Sequence, residues 1–143
     1  MARYTTTIRS PWDAQRAFDF MADVRNFEKW DPGVSSSEMV SGVEPGVGTE
    51  YEVTVKTGPM KYTTNEFDRP TRTVVDAETA VLTSHDVIEV KSVETGCEVT
   101  YDAVLELKGP LKLVDPLLGL LFKRIGDDAA AGMTTALEGV KVR

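Results

Sequence analysis

Four side chains pair a titratable or hydroxyl head with strand-like apolar neighbours: Glu66, Asp86, Tyr62 and Tyr101. A carboxylate set in an apolar wall has its pKa raised by desolvation and can then pass a proton near neutral pH. A phenol beside it can polarise a carbonyl. Together these groups suit an aldol-type cyclisation or a dehydration. Other chemistries lack their residues. The chain has one histidine, His85, and one cysteine, Cys97, with no CxxC or HExxH spacing, so no zinc set is expected. A Ser–His–Asp triad would need His85. Alternation along a strand Leu82–Val90 turns that side chain outward beside Thr83 and Val87. No GxGxxG or GxxxxGK[ST] occurs, and Gly46-Val47-Gly48 reads as a turn. Neither a metal nor a cofactor is expected.

The same alternation groups the polar residues with apolar ones. Ser84 and Asp86 share a face with Ile88; Tyr101 lies with Val99 and Ala103; Tyr62 with Thr64 and Glu66; Tyr51 with Val53 and Val55. On neighbouring strands they form a band of hydroxyls and carboxylates across one wall. Buried polar groups are costly unless paired. A pocket holding water or a polar ligand satisfies them; so does pairing inside the core, such as Glu66 with Arg72.

The elements that must position this band follow from period and punctuation. Thr5–Arg9 suits a strand. Ser10 is placed to cap a helix with Pro11 at its first position, carrying Ala14, Ala17, Phe18, Met21 and Ala22 on one side. Asp23 is placed to cap a second short helix through Phe27 and Trp30. Strands are expected over Val34–Gly42, around Tyr51–Val55, Lys61–Phe67, Thr73–Ala77, Leu82–Ser92 and Val99–Leu107. Turns fall at Gly58-Pro59 and Glu94-Thr95-Gly96. The period then changes. Asp115-Pro116 is a cap and first-turn pair for a helix over roughly Asp115–Lys141, whose stripe holds Val114, Leu118, Leu121, Phe122, Ile125, Ala129, Met133, Ala136, Leu137 and Val140. Gly119, Gly126, Gly132 and Gly139 each weaken that helix by about 1 kcal/mol relative to Ala, and serve either loose packing or close approach to a sheet. The run Leu117, Leu118, Leu120, Leu121, Phe122 and Ile125 is wider than one sheet-facing stripe needs. Pocket lining, a kink at Gly119 and a homodimer contact all remain open for it.

The fold expected is α+β: a curved antiparallel sheet of about seven strands wrapped around a long C-terminal helix, with two short helices after the first strand. A sheet curved around one helix leaves an internal concavity unless its inward side chains are large. Lining is expected from Tyr51, Val53, Tyr62, Thr64, Ser84, Asp86, Ile88, Tyr101 and Ala103 on the sheet, and from Leu118, Phe122, Ile125 and Met133 on the helix. Trp30 is placed where the short helices meet the sheet, as a lid over the mouth or as a core anchor.

Composition bounds the rest. The 143 residues are 41% hydrophobic with a net charge of −7, which fits one domain over 1–143 with a real core. That charge disfavours a nucleic-acid partner and argues against docking on anionic lipid. Leu111–Ile125 is the most apolar stretch, but Lys112, Asp115, Pro116 and Lys123 break it and it is too short to span a bilayer, so no stable membrane insertion is expected. With one cysteine and no apolar leader after Met1-Ala2-Arg3-Tyr4, a cytoplasmic protein is expected.

Several stretches carry a family resemblance: Ser10-Pro11 with Ala17–Asp23, Phe27–Gly33, Gly46–Thr49, Glu66–Pro70, Gly96–Tyr101, Leu107–Leu111 and Ile125–Gly132. In this order, over nearly the whole chain, the sequence resembles bacterial polyketide cyclase/dehydrase and lipid-transport proteins of the START-like, helix-grip superfamily. The resemblance implies the same fold and an internal pocket for a small apolar or aromatic ligand. It spans carriers, receptors, cyclases and interaction proteins. Binding or carriage is the first reading, since no spacing demands catalysis. A polyketide cyclase or dehydrase using Asp86, Glu66, Tyr62 or Tyr101 is second, and a regulatory interaction protein with a vestigial pocket third.

Overall fold

The computed structural model describes residues 1–143, except for the side chain of Asp115. The capping role expected of Asp115 therefore lies outside the described residues. The first strand, β1 (Ala2–Ser10), leads into α1 (Ala14–Ala22), a 3-10 turn (Val24–Asn26) and α2 (Phe27–Trp30). Six strands follow: β2 (Val34–Ser41), β3 (Glu50–Val55), β4 (Gly58–Asp68), β5 (Arg72–Glu78), β6 (Leu82–Val93) and β7 (Gly96–Leu107). A 3-10 segment (Gly109–Val114), the long α3 (Asp115–Ala136) and a short β8 (Val140–Lys141) complete the chain. The strands make one antiparallel curved sheet in the order β2-β3-β4-β5-β6-β7-β1-β8.

Why these residues form these elements is largely the alternation already described. β6 buries Ser84, Asp86, Ile88 and Val90 and exposes His85, Glu89 and Lys91. The core sits on that inner face, where Ile8, Tyr51, Val53, Val75, Ile88 and Val99 meet Phe18 and Met21 of α1, Phe27 and Trp30 of α2, and Met133 of α3.

Four expectations need correction. The cap of α1 is Asp13, whose carboxylate accepts from Arg16 N at 2.9 Å. Ser10 instead ends β1 and donates to Leu137 O at 2.7 Å, tying the strand to the end of α3. The turn after β3 comes at Lys56-Thr57, so Gly58-Pro59 opens β4. The final helix stops at Ala136, short of Lys141, and an eighth strand follows. Glu138 takes a left-handed φ of 55° and Gly139 N donates back to Thr134 O, which closes the helix. Val140 and Lys141 then pair with Arg9 and Ile8. Finally, Val114, Leu121, Ile125 and Val140 are exposed, so the long apolar stripe is buried only in its C-terminal part. Asp23 does cap the second short helical segment, accepting from Arg25 N at 3.0 Å.

Candidate functional site

The inner face of β6 and β7 places Asp86 beside Ala103, with Val75 on its other flank. Asp86 is only 2% exposed. Its Oδ2 accepts from the Tyr101 hydroxyl at 2.9 Å and its Oδ1 from the Ser84 hydroxyl at 3.2 Å. Burial pushes this carboxyl up to about 7, although both hydrogen bonds pull it down; the nearby charge of Asp31 pushes it further up. The phenols of Tyr62 and Tyr101 are both pushed up, first by burial and then by the Asp86 charge. Asp86 thus receives Tyr101 on one oxygen and Ser84 on the other, and Ser84 also meets the Tyr62 hydroxyl.

Trp30 covers this group from the helix side. Its ring lies 5.5 Å from that of Tyr101 and 5.0 Å from that of Phe27, and Phe27 lies 6.1 Å from Tyr62, all edge to face. Two rings from α2 and two from the sheet therefore form one arc, a favoured aromatic geometry. What sets the position of α2 is a glycine. A Cβ on Gly132 would stand 1.7 Å from Trp30 O, so only glycine lets α3 approach α2 so closely.

Two buried polar atoms, Trp30 Nε1 and Ser37 Oγ, have no hydrogen-bond partner among the described residues, whereas the Tyr51 hydroxyl interacts with Thr64 and the Val24 backbone. An orphaned buried group costs about 1–3 kcal/mol. Trp30, Tyr51 and Thr64 all belong to the set expected to line a site. Around them the wall is apolar, with Val53, Ile88, Ala103 and Met133 buried. The arrangement offers one indole N–H donor, hydroxyls, one carboxyl able to gain or lose a proton near neutrality, and aromatic faces.

Two expected members stand apart. Glu66 is turned to solvent and paired with Arg72 at 2.9 Å. The cause is a bulge in β4: the register with β5 shifts between Thr64 and Glu66, so Asn65 is the extra residue and the alternation reverses. Phe67 then takes the inner side, with its ring 5.3 Å from Phe18. Ile125 is 43% exposed and does not line the wall. Leu118 and Phe122 are half-buried on the first half of α3. One residue was not singled out from the sequence: Asp31, at the end of α2. It is half-buried, its Oδ1 accepts from Gly33 N at 2.8 Å, and burial pushes its pKa up. Its role depends on α2 folding over the sheet, which leaves no local sequence signal.

An open groove of about 470 Å³ lies on the opposite, outer face, along Lys61, Thr63, Asn65, Asp76, Thr83 and His85. Its polar, open lining does not suit an apolar ligand. His85 stands there, bonded through Nδ1 to Asp76. Among the described residues no cluster of three or more metal-ligating side chains occurs, and no helix is long and apolar enough to cross a membrane.

Comparison with known proteins agrees with this architecture. A family model described as polyketide cyclase / dehydrase and lipid transport matches residues 1–138. No curated protein matches. Among solved structures, a START superfamily protein from Mycobacterium smegmatis is similar at 10% identity and a TM-score of 0.78, covering 96% of this chain and 98% of its own. A hypothetical protein from Helicobacter pylori is similar at 11% identity and a TM-score of 0.74, covering 94% and 87%. A conserved protein from Geobacillus kaustophilus is similar at 15% identity and a TM-score of 0.66, covering 97% and 98%. At these identities the likeness is one of fold.

Proposed function

This chain belongs to the polyketide cyclase / dehydrase and lipid transport family, and from that premise we propose that it binds and carries a small apolar or aromatic molecule on the concave face between sheet and helices. The observation that carries the reading is Trp30 Nε1, an indole N–H with no hydrogen-bond partner among the described residues, buried at an otherwise apolar and aromatic wall. A ligand with a carbonyl or hydroxyl on an apolar frame supplies the missing acceptor and stacks on the aromatic arc. It needs no cofactor.

A native mass spectrum of the protein purified from its source tests this. The expected result is a retained small molecule that is lost on unfolding. A spectrum of apoprotein alone, together with failure to bind any apolar dye, contradicts it.

A second reading, the cyclase or dehydrase, draws on Asp86 alone. A carboxyl held near 7 beside the Tyr101 hydroxyl can accept and return a proton at neutral pH. With a poly-β-ketone supplied, this reading requires turnover that falls by ~10²-fold or more in Asp86→Asn at unchanged affinity. Carriage predicts no turnover in either protein.

A further inference from the structure

A hydroxyl carries one proton and can donate or accept, whereas an ionised carboxylate only accepts. With Asp86 charged, the Tyr101 hydroxyl must donate to Oδ2 and the Ser84 hydroxyl to Oδ1. Both hydroxyl protons are then spent on the carboxylate. A protonated Asp86 donates from one of its own oxygens, and the hydroxyl that it meets there must accept. That hydroxyl's proton becomes free for another acceptor. On the Oδ2 side the freed proton is that of Tyr101, whose ring lies 5.5 Å from that of Trp30. On the Oδ1 side it is that of Ser84, which meets the Tyr62 hydroxyl and hands the change to the next phenol on the wall. One added proton thus adds one free donor to a wall that already holds an orphaned donor, Trp30 Nε1.

The surroundings of Asp86 favour that proton. Burial raises its pKa to about 7, the Asp31 charge at the end of α2 adds to this, and His85, on the outer face of the same strand, opposes it. From α3, Asp128 acts at one remove, since its charge raises Asp31 in turn. The register neighbours on β5 and β7, Val75 and Ala103, are apolar, as are Phe18 and Met21 of α1 in the core. Among the described residues no lysine or arginine neutralises Asp86, and a buried charge without such a partner takes up a proton instead.

We propose that the ligand is an uncharged molecule whose carbonyl accepts from Trp30 Nε1 and from the hydroxyl freed when Asp86 is protonated, so that ligand and proton enter the site together. The inference rests on the carrier reading and deepens it, naming the ligand's polar group and the condition for its release. A ligand that selects the protonated carboxyl raises the pKa further in the complex. Affinity is then full below about pH 7 and falls as pH rises through that value, by up to about tenfold per pH unit. A ligand bearing an ammonium group would select the ionised carboxylate and show the opposite slope.

The test is a fluorescence titration between about pH 5.5 and about pH 8.5 with two uncharged dyes, a naphthyl ketone and diphenylhexatriene, which has no hydrogen-bonding group. The ketone should bind at least about tenfold more weakly at the alkaline end, and diphenylhexatriene within about twofold throughout. Calorimetry of ketone binding in two buffers of different ionisation enthalpy should show uptake of at least about half a proton per ligand near pH 7.5. Asp86→Asn, whose amide keeps a donor and an acceptor at every pH, should lose the slope. His85→Ala should keep it, and Asp31→Asn should move it to lower pH. A ketone affinity that is flat or rises with pH, an equal slope for both dyes, no proton uptake, or a slope that survives in Asp86→Asn or vanishes in His85→Ala overturns the proposal. The calorimetry needs the wild type alone, so it decides the matter even if Asp86→Asn does not fold. Flat binding of both dyes leaves carriage standing without its proton, whereas no binding of either dye at any pH strikes carriage itself.

Discussion

The two halves of α3 are one helix by backbone and two different objects by packing. From Gly126 to Ala136 the helix lies against its neighbours: Ala129, Ala130 and Met133 are buried. A Cβ on Gly126 would stand 2.3 Å from the Tyr4 ring, and one on Gly132 would stand 1.7 Å from Trp30 O. From Pro116 to Ile125 the side chains are larger and wetter, and Gly119 faces open space. Small residues hold the helix where it touches the fold, and large apolar residues occupy it where it does not. The same residue type therefore does opposite things. Gly126 and Gly132 permit contact, whereas Gly119 only lowers helix propensity. The packed half fixes α2, and hence Trp30, beside Tyr101 and its partner Asp86.

The sharpest way to break this comparison is to add the same methyl group to both halves. Gly132→Ala should cost about 3 kcal/mol or more in denaturant unfolding, because the obstacle is backbone and cannot swing aside. Gly119→Ala should instead stabilise by about 0.5–1 kcal/mol through helix propensity alone. Equal effects of the two substitutions would dissolve the distinction.

Next in size is the pH dependence held by Asp86. Its folded pKa stands at about 7, above its ordinary value. Below the ordinary carboxylate range the group is protonated in both states and costs nothing by charge. As pH rises towards 7 the unfolded chain loses the proton first, so folding stability falls through this window and levels off above it. Asp86→Asn should remove that slope. It should match the wild type within about 1 kcal/mol at pH 4 and exceed it by an amount on the order of a few kcal/mol at pH 8. Parallel stability curves for the two proteins would show that Asp86 is not held protonated by burial.

The smallest effect is expected on the outer face. His85→Ala should leave dye or ligand affinity within about twofold. Removing a general base would cost ~10²–10⁴-fold, so a loss on that scale would relocate the site to the outer groove.

These regions also differ in how much the sequence reveals. β6 and β7 are legible because one face is buried and the other wet, so Ser84, Asp86 and Ile88 separate from His85 by alternation alone. Glu66 is not, since a one-residue bulge at Asn65 reverses the alternation and Thr63-Thr64-Asn65 carries no mark of it. The start of α3 is marked by Pro116, whereas its end is decided by distant partners. Ser10 bonds to Leu137 O, and Val140 and Lys141 pair with β1. Periodicity correctly signals apolar helix from Asp115 to Ala136, yet it cannot say which half finds a neighbour. Asp31 escapes notice for a related reason: only α2 closing over the sheet brings its charge near Asp86, Tyr62 and Tyr101.

The central claim is that the inner wall around Asp86 receives a ligand. The direct measurement is a fluorescence titration of an environment-sensitive apolar dye into the wild type and Ala103→Trp. Ala103 is buried on the inner face beside Asp86 and Tyr4 in register. An indole there should occupy the ligand's space at a cost of about 1–3 kcal/mol in stability. The account predicts saturable binding to the wild type that weakens at least about tenfold in the folded variant. Equal affinity in both proteins, with both folded by circular dichroism, would contradict a binding site on this wall.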